Sequence, residues 1–280
     1  MQFGDYEVLF LSDGTFKLDG GAMFGIVPKP LWQKEAPTDE RNRMVLRCNC
    51  PLIRTPKGEN ILVDCGLGRK WTEKQREIYA IDERHDLLGD LAAHGLKPGD
   101  ITTLFHTHLH LDHCGWNTRL NEKGEPEEVF VNARHLVERS ELGPARKPNE
   151  IQRGTYLSPN IEPLDRAGRF EVFDLRLELA PGLTLERTGG HTVGHTIFRL
   201  ESGGQKAIFF GEMMPTVAHR HLPWVMAYDL FPLETLEAKR ALFKEALRDR
   251  ALVLLDHDPN HFAVKLKEGE KGKLEYEPVA

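Results

Sequence analysis

The chain has 280 residues, 40% hydrophobic and 29% charged, the composition of an ordinary globular protein with a substantial core. A formal net charge of −6 and a pI near 6.1 exclude the uniformly positive field that attracts nucleic-acid phosphates. No apolar run approaches the roughly 20 residues that span a bilayer, and Met1 to Glu7 shows no basic segment leading into an apolar one. We therefore expect one cytoplasmic domain over residues 1–280, with no nucleic-acid or membrane partner.

From the N-terminus, β-type runs occupy residues 7–11, 46–54 and 61–65, separated by the turn signals Asp13-Gly14, Gly20-Gly21 and Pro56-Lys57-Gly58. Residues 82–94 place Leu87, Leu88, Leu91 and Ala92 on one helical face, with Gly95 and Pro98 as the stop. A buried strand follows at 101–105. Residues 142–163 are polar and punctuated by Pro144, Pro148, Pro159 and Pro163, which fits a surface loop, a mobile lid or a plain linker.

Strands are then expected at 170–179, 183–188, 196–200 and 206–210, a helix at 234–249 carrying Leu236, Phe243 and Leu247, and a closing strand at 251–255. Both halves thus run strands, helix, buried strand. Histidines follow each closing strand. This repetition predicts an α/β fold of two sheets packed face to face with helices outside and a site on one edge. The four cysteines, Cys48, Cys50, Cys65 and Cys114, form no C-x-x-C pair and are read as reduced, mostly buried thiols; Cys48-Asn49-Cys50 is a weak metal signal.

The chemistry concentrates after the first closing strand. His108, His110, Asp112 and His113 fall within six residues, and imidazole nitrogen with carboxylate oxygen suits zinc and related divalent ions. Buried without a shared ion, each of these groups would need its own partner. In Thr188-Gly189-Gly190-His191-Thr192-Val193-Gly194-His195, glycines let the backbone approach closely; His191 is the candidate ligand and His195 its support. His257, at the end of the last buried strand, is the natural final imidazole.

The H-x-H-x-D-H run from His108 to His113, the downstream G-H-T-x-G-H and the strand-end His257 resemble the metallo-β-lactamase superfamily, over nearly the whole chain. Asp64-Cys65-Gly66 matches the D-x-G turn beside the ligands in that superfamily. The segments from Asp19 to Trp32 and from Pro223 to Asp229 are similar to its quorum-quenching lactonase branch, which opens N-acyl-homoserine lactones. Where two-metal members carry a bridging aspartate, this chain has Glu212, whose stem is one methylene longer.

The resemblance implies a four-layer αββα sandwich of two mixed sheets. It implies two divalent ions, zinc by preference with iron or manganese as other occupants. His108, His110 and His191 would hold one ion, Asp112, His113 and His257 the other, with Glu212 bridging and a hydroxide between them. Such a pair lowers the pKa of water towards neutrality. Asp112 and Tyr228 are the candidate catalytic side chains, Tyr228 as a hydroxyl donor to the oxyanion.

The expected substrate is a small lactone or carboxylic ester with an apolar acyl part, received by Met23, Phe24, Trp116, Met213, Met214, Trp224 and Met226. Both a single chain and a homodimer are open as the assembly. Hydrolysis of a phosphotriester or phosphoester on the same site, and non-hydrolytic iron chemistry, are the alternative functions.

Overall fold

The computed structural model describes residues 1–279. The first sheet is laid down by β1 (Gln2–Phe3), β2 (Tyr6–Asp19), β3 (Arg43–Arg54), β4 (Asn60–Val63) and β5 (Thr103–Phe105). After a small separate hairpin of β6 (Thr118–Leu120) and β7 (Pro126–Glu128), β8 (Arg134–Glu138) and β9 (Phe170–Phe173) complete it in the order β1-β2-β3-β4-β5-β8-β9. Its first half pairs antiparallel; β4, β5, β8 and β9 run parallel.

The second sheet takes its strands in chain order: β10 (Arg176–Ala180), β11 (Leu183–Arg187), β12 (Thr196–Ser202), β13 (Gln205–Phe209), β14 (Leu252–Leu254), β15 (Ala263–Glu268) and β16 (Leu274–Pro278). Only the β13–β14 pair in it is parallel among the described residues.

Alternation along the strands builds the layers. On β4, Ile61 and Val63 point into the inter-sheet core with Phe105, Phe198, Phe209 and Leu254, while Leu62 between them faces outward. On β14, Leu252 and Leu254 point inward and Val253 outward. Seven α-helices are described: α1 (Gly20–Phe24), α2 (Lys29–Trp32), α3 (Glu73–Tyr79), α4 (Leu87–Ala93), α5 (Leu142–Arg146), α6 (Ser158–Arg166) and α7 (Pro232–Asp249). Leu87 and Leu91 of α4 cover the outer face of the first sheet, and Leu242, Phe243 and Ala246 of α7 cover that of the second. The result is the expected four-layer αββα sandwich.

Three local expectations are corrected. The helix expected over 82–94 is α4, which begins at Leu87, because the Asp86 side chain caps it by accepting from the Gly89 amide, and the Asp82 amide is bonded to the Thr15 carbonyl at 2.8 Å. The single strand expected at 170–179 is two strands in different sheets, β9 and β10, with Leu175 in the left-handed region (φ 55°) between them.

Residues 142–163 are neither plain linker nor bare loop. They carry α5 and most of α6 and bury Leu142, Ala145, Tyr156 and Ile161. Pro163 sits inside α6, where its missing N–H leaves the Pro159 carbonyl without its helical donor; the Thr118 hydroxyl takes that place at 2.6 Å.

Candidate metal centre

The candidate ligands leave the carboxyl ends of β5, β13 and β14 and the turn between β11 and β12, and so meet at one edge of the sandwich. The Thr196 amide, donating to the Thr107 carbonyl at 2.9 Å, ties the two motif segments together. Asp64 of the D-x-G turn holds a left-handed conformation (φ 57°), a strained state for a non-glycine residue. Its carboxylate accepts from the Thr107 amide at 2.8 Å and the Thr107 hydroxyl at 2.7 Å, and lies 2.9 Å from Nδ1 of His113. Gly190 is obligatory: with φ +84°, a Cβ there would meet the Thr235 hydroxyl at 2.6 Å, at the start of α7.

Two groups of donors result. His108, His110 and His191 bring one ligand atom each to within 4.8 Å of one another, and Asp112, His113, Glu212 and His257 do the same. All are buried except Asp112, which is partly exposed. The far nitrogens are anchored: Nδ1 of His191 by Asp229 at 2.9 Å, Nδ1 of His113 by Asp64, and Nδ1 of His257 by the Arg47 carbonyl at 2.9 Å. This turns the Nε2 atoms inward. His191 Nε2 lies 3.1 Å from His110 Nδ1, His257 Nε2 lies 3.2 Å from His113 Nε2, and the buried His108 Nε2 has no hydrogen-bond partner among the described residues. Inward-facing imidazole nitrogens held by outer acceptors are the donor set a divalent ion takes, so the residues fit a metal pair.

The electrostatics of the two groups differ. Burial first, and neighbouring imidazoles second, push His108 and His110 well below the ordinary histidine range, leaving them neutral. Burial also works against protonation of His257, but Asp256 and Glu212 outweigh it and carry the imidazole up to about 10. Burial likewise opposes ionisation of Glu212, yet His257 and His191 hold its carboxyl well below the usual range. Glu212 Oε1 stands 2.9 Å from His257 Nε2 and 3.2 Å from His113 Nε2. The second group thus holds two carboxylates, Asp112 and Glu212, where the first holds none.

His195 stands outside both groups. The Glu212 amide donates to its Nε2 at 3.1 Å, so Nδ1 carries the proton and donates to the Thr188 hydroxyl at 2.6 Å. Cys48 and Cys50 also stand outside the metal groups, with burial pushing both thiols well up. All four cysteines are free and buried.

Over the donors opens a small pocket of about 90 Å³. His110, Asp112, His191, Glu212 and His257 form its polar floor; its walls are largely apolar. Of the seven apolar residues expected there, Met23 and Met226 line it. The other five do not. Trp116 packs under α4 and donates its indole N–H to Asp13, Met213 and Met214 belong to the layer beneath α7, and Phe24 is stacked between Trp32 and His219, with Trp224 edge-on to it. Phe16, Leu18, Leu46, Tyr79 and Leu111 take their places, and the alternation Phe16, Leu18 along β2 is the sequence signal that could have found two of them. Tyr228 lines the pocket as expected, its phenol pushed up to about 12, chiefly by burial.

The family model described as the Metallo-beta-lactamase superfamily matches residues 43–257, more than half of the chain and all of the donors above. The chain belongs to the metallo-beta-lactamase superfamily. Within that superfamily it is similar to an N-acyl homoserine lactonase of a Bacillus species, 26% identical over 163 residues, 55% of this chain and 58% of that relative, so the match spans little more than half the relative's length. A probable metal-dependent hydrolase from Staphylococcus aureus is 35% identical with a TM-score of 0.90, over 100% of this chain and 99% of the other. The dizinc quorum-quenching lactonase AidC, solved with a product, shares the fold at 20% identity and a TM-score of 0.78, over 100% and 96% of the two chains. No described helix is long and apolar enough to cross a membrane.

Proposed function

We propose that this chain is a metal-dependent hydrolase that opens a lactone or carboxylic ester bearing an apolar acyl part, of the N-acyl-homoserine lactone kind. The observation that carries the reading is the juxtaposition of two donor groups, His108/His110/His191 and Asp112/His113/Glu212/His257, with a pocket whose floor is polar and whose walls are apolar. The likeness to lactonases supports the same class of substrate. In this reading the first three histidines would hold one divalent ion and Asp112, His113 and His257 the other, with the Glu212 carboxylate beside them available to both, and zinc would be the leading occupant.

Bound there, such a pair supplies Lewis acidity and a water acidified towards neutral pH. The chain's own groups do the rest. Phe16, Leu18, Met23, Leu46 and Met226 receive the acyl part and keep bulk water from the scissile carbonyl. Asp112, whose side chain is 13% exposed at the pocket floor, is placed to take the proton from the attacking water and return it to the leaving alkoxide. The Tyr228 hydroxyl, protonated throughout the working range, donates to the developing oxyanion.

A pH-stat assay on N-acyl-homoserine lactones and simple esters tests the proposal. It expects acid release that chelation abolishes and divalent metal restores. Turnover of a chromogenic phosphotriester with none of any lactone or ester would overturn it.

A further inference from the structure

Asp256 lies between β14 and His257, 1% exposed, and neither of its carboxylate oxygens has a hydrogen-bond partner among the described residues. Its neighbour Asn49 does not relieve it: the Asn49 amide donates to the Asp256 backbone carbonyl, and the side-chain Nδ2 donates to the carbonyls of Leu255 and Asp258. A buried carboxylate with no donor is costly, and a nearby cation removes that cost. The second donor group is the nearby place for one. Asp256 Oδ2 lies 3.9 Å from His257 Nε2, the same nitrogen that faces Glu212 at 2.9 Å and Asp112 at 3.6 Å.

Three carboxylates thus crowd around His257, whereas the first donor group consists of imidazoles alone. The Asp229 carboxylate is turned onto Nδ1 of His191, behind the ring. Imidazole donors suit zinc; carboxylate-rich surroundings favour oxygen-seeking ions such as manganese(II).

We propose that Asp256 is a further anionic partner of the ion held by Asp112, His113, Glu212 and His257, and that it makes this position select an oxygen-seeking divalent ion while the imidazole position selects zinc. The inference rests on the metal-site reading above and adds unlike metal preferences at the two positions.

The test is titration of chelator-stripped protein with manganese(II), followed by the electron paramagnetic resonance signal of the free ion, with zinc added in competition. Wild type should bind one manganese(II) per chain well ahead of a second. Asp256→Asn should weaken that site about tenfold or more, the scale on which outer partners tune metal affinity, and leave zinc at the imidazole position unchanged. Unchanged zinc binding at that position reports that the variant is folded. His110→Ala should lose the zinc position and keep the manganese(II) position.

Wild-type manganese(II) affinity in Asp256→Asn, or its loss in His110→Ala instead, would overturn the proposal. Either result leaves the lactonase reading standing if the loaded enzyme opens lactones. Metal preferences as stated, without lactone turnover, would keep this inference and sink that reading.

Discussion

Oδ1 of Asp229 lies 2.9 Å from Nδ1 of His191, while its Oδ2 accepts the Met226 amide at 3.0 Å. One carboxylate therefore aims a candidate ligand and holds a wall of the pocket. Asp229→Asn keeps the shape but leaves an amide where Nδ1 needs an anion. Affinity at the imidazole position should fall about 10–100-fold, the range for partners that orient ligating histidines. Competition with a chromogenic chelator measures it, and an unchanged affinity would show that packing alone orients His191.

Glu141 clamps the first donor group from beneath. Its carboxylate accepts from the Leu109 amide at 3.0 Å, the Thr192 hydroxyl at 2.7 Å and the Tyr156 hydroxyl at 2.8 Å, so it touches the neighbours of His108, His110 and His191 at once. Glu141→Ala strands several buried donors. With each hydrogen bond to a charged group contributing about 1.5–3 kcal/mol, urea unfolding should show a loss of about 3 kcal/mol or more. A loss under 1 kcal/mol would mean that residues 142–163 sit loosely over the site.

Lys239 on α7 is buried, with Nζ 2.5 Å from the Trp224 carbonyl, and burial pushes its ammonium down to about 7. Between pH 7 and the ordinary lysine value of 10.5 the unfolded chain binds more protons than the folded one, so this group makes stability rise with pH across that window. The slope has a ceiling of about 1.4 kcal/mol per pH unit. Unfolding of wild type and Lys239→Met from pH 7 to 9.5 should show the rise in wild type only; parallel curves would refute it.

Tyr228 should act in the transition state rather than in binding. Tyr228→Phe is expected to lower kcat on an acyl-homoserine lactone by about 100-fold, the lower range for loss of an oxyanion donor, with KM little changed. A change confined to KM would make Tyr228 a wall residue like Met226.

Much of this was legible in the sequence because it is local. The strand–helix–strand rhythm of both halves pointed to the layers, and the ligands His108 to His113 fall within six residues. What stayed hidden acts across the chain. Asp229 reaches His191 over 38 positions and Glu141 reaches Leu109 over 32, with no periodicity to mark either. The helix α6 was masked by Pro159 and Pro163, since nothing local shows that Thr118 would satisfy the carbonyl that Pro163 leaves open. The pocket walls were misplaced for a related reason: closeness in sequence to a motif does not decide which way Met213 or Trp116 points.

The central claim, that the two donor groups form one hydrolytic centre for lactones, is met most directly by metal restoration. Chelator-stripped protein is reloaded stepwise, and acid release from N-hexanoyl-homoserine lactone is followed in a pH-stat against ions bound per chain. The account predicts no turnover without metal and a rate that climbs to its maximum at two ions per chain. Protein holding two ions that releases acid from no lactone and no ester would contradict it.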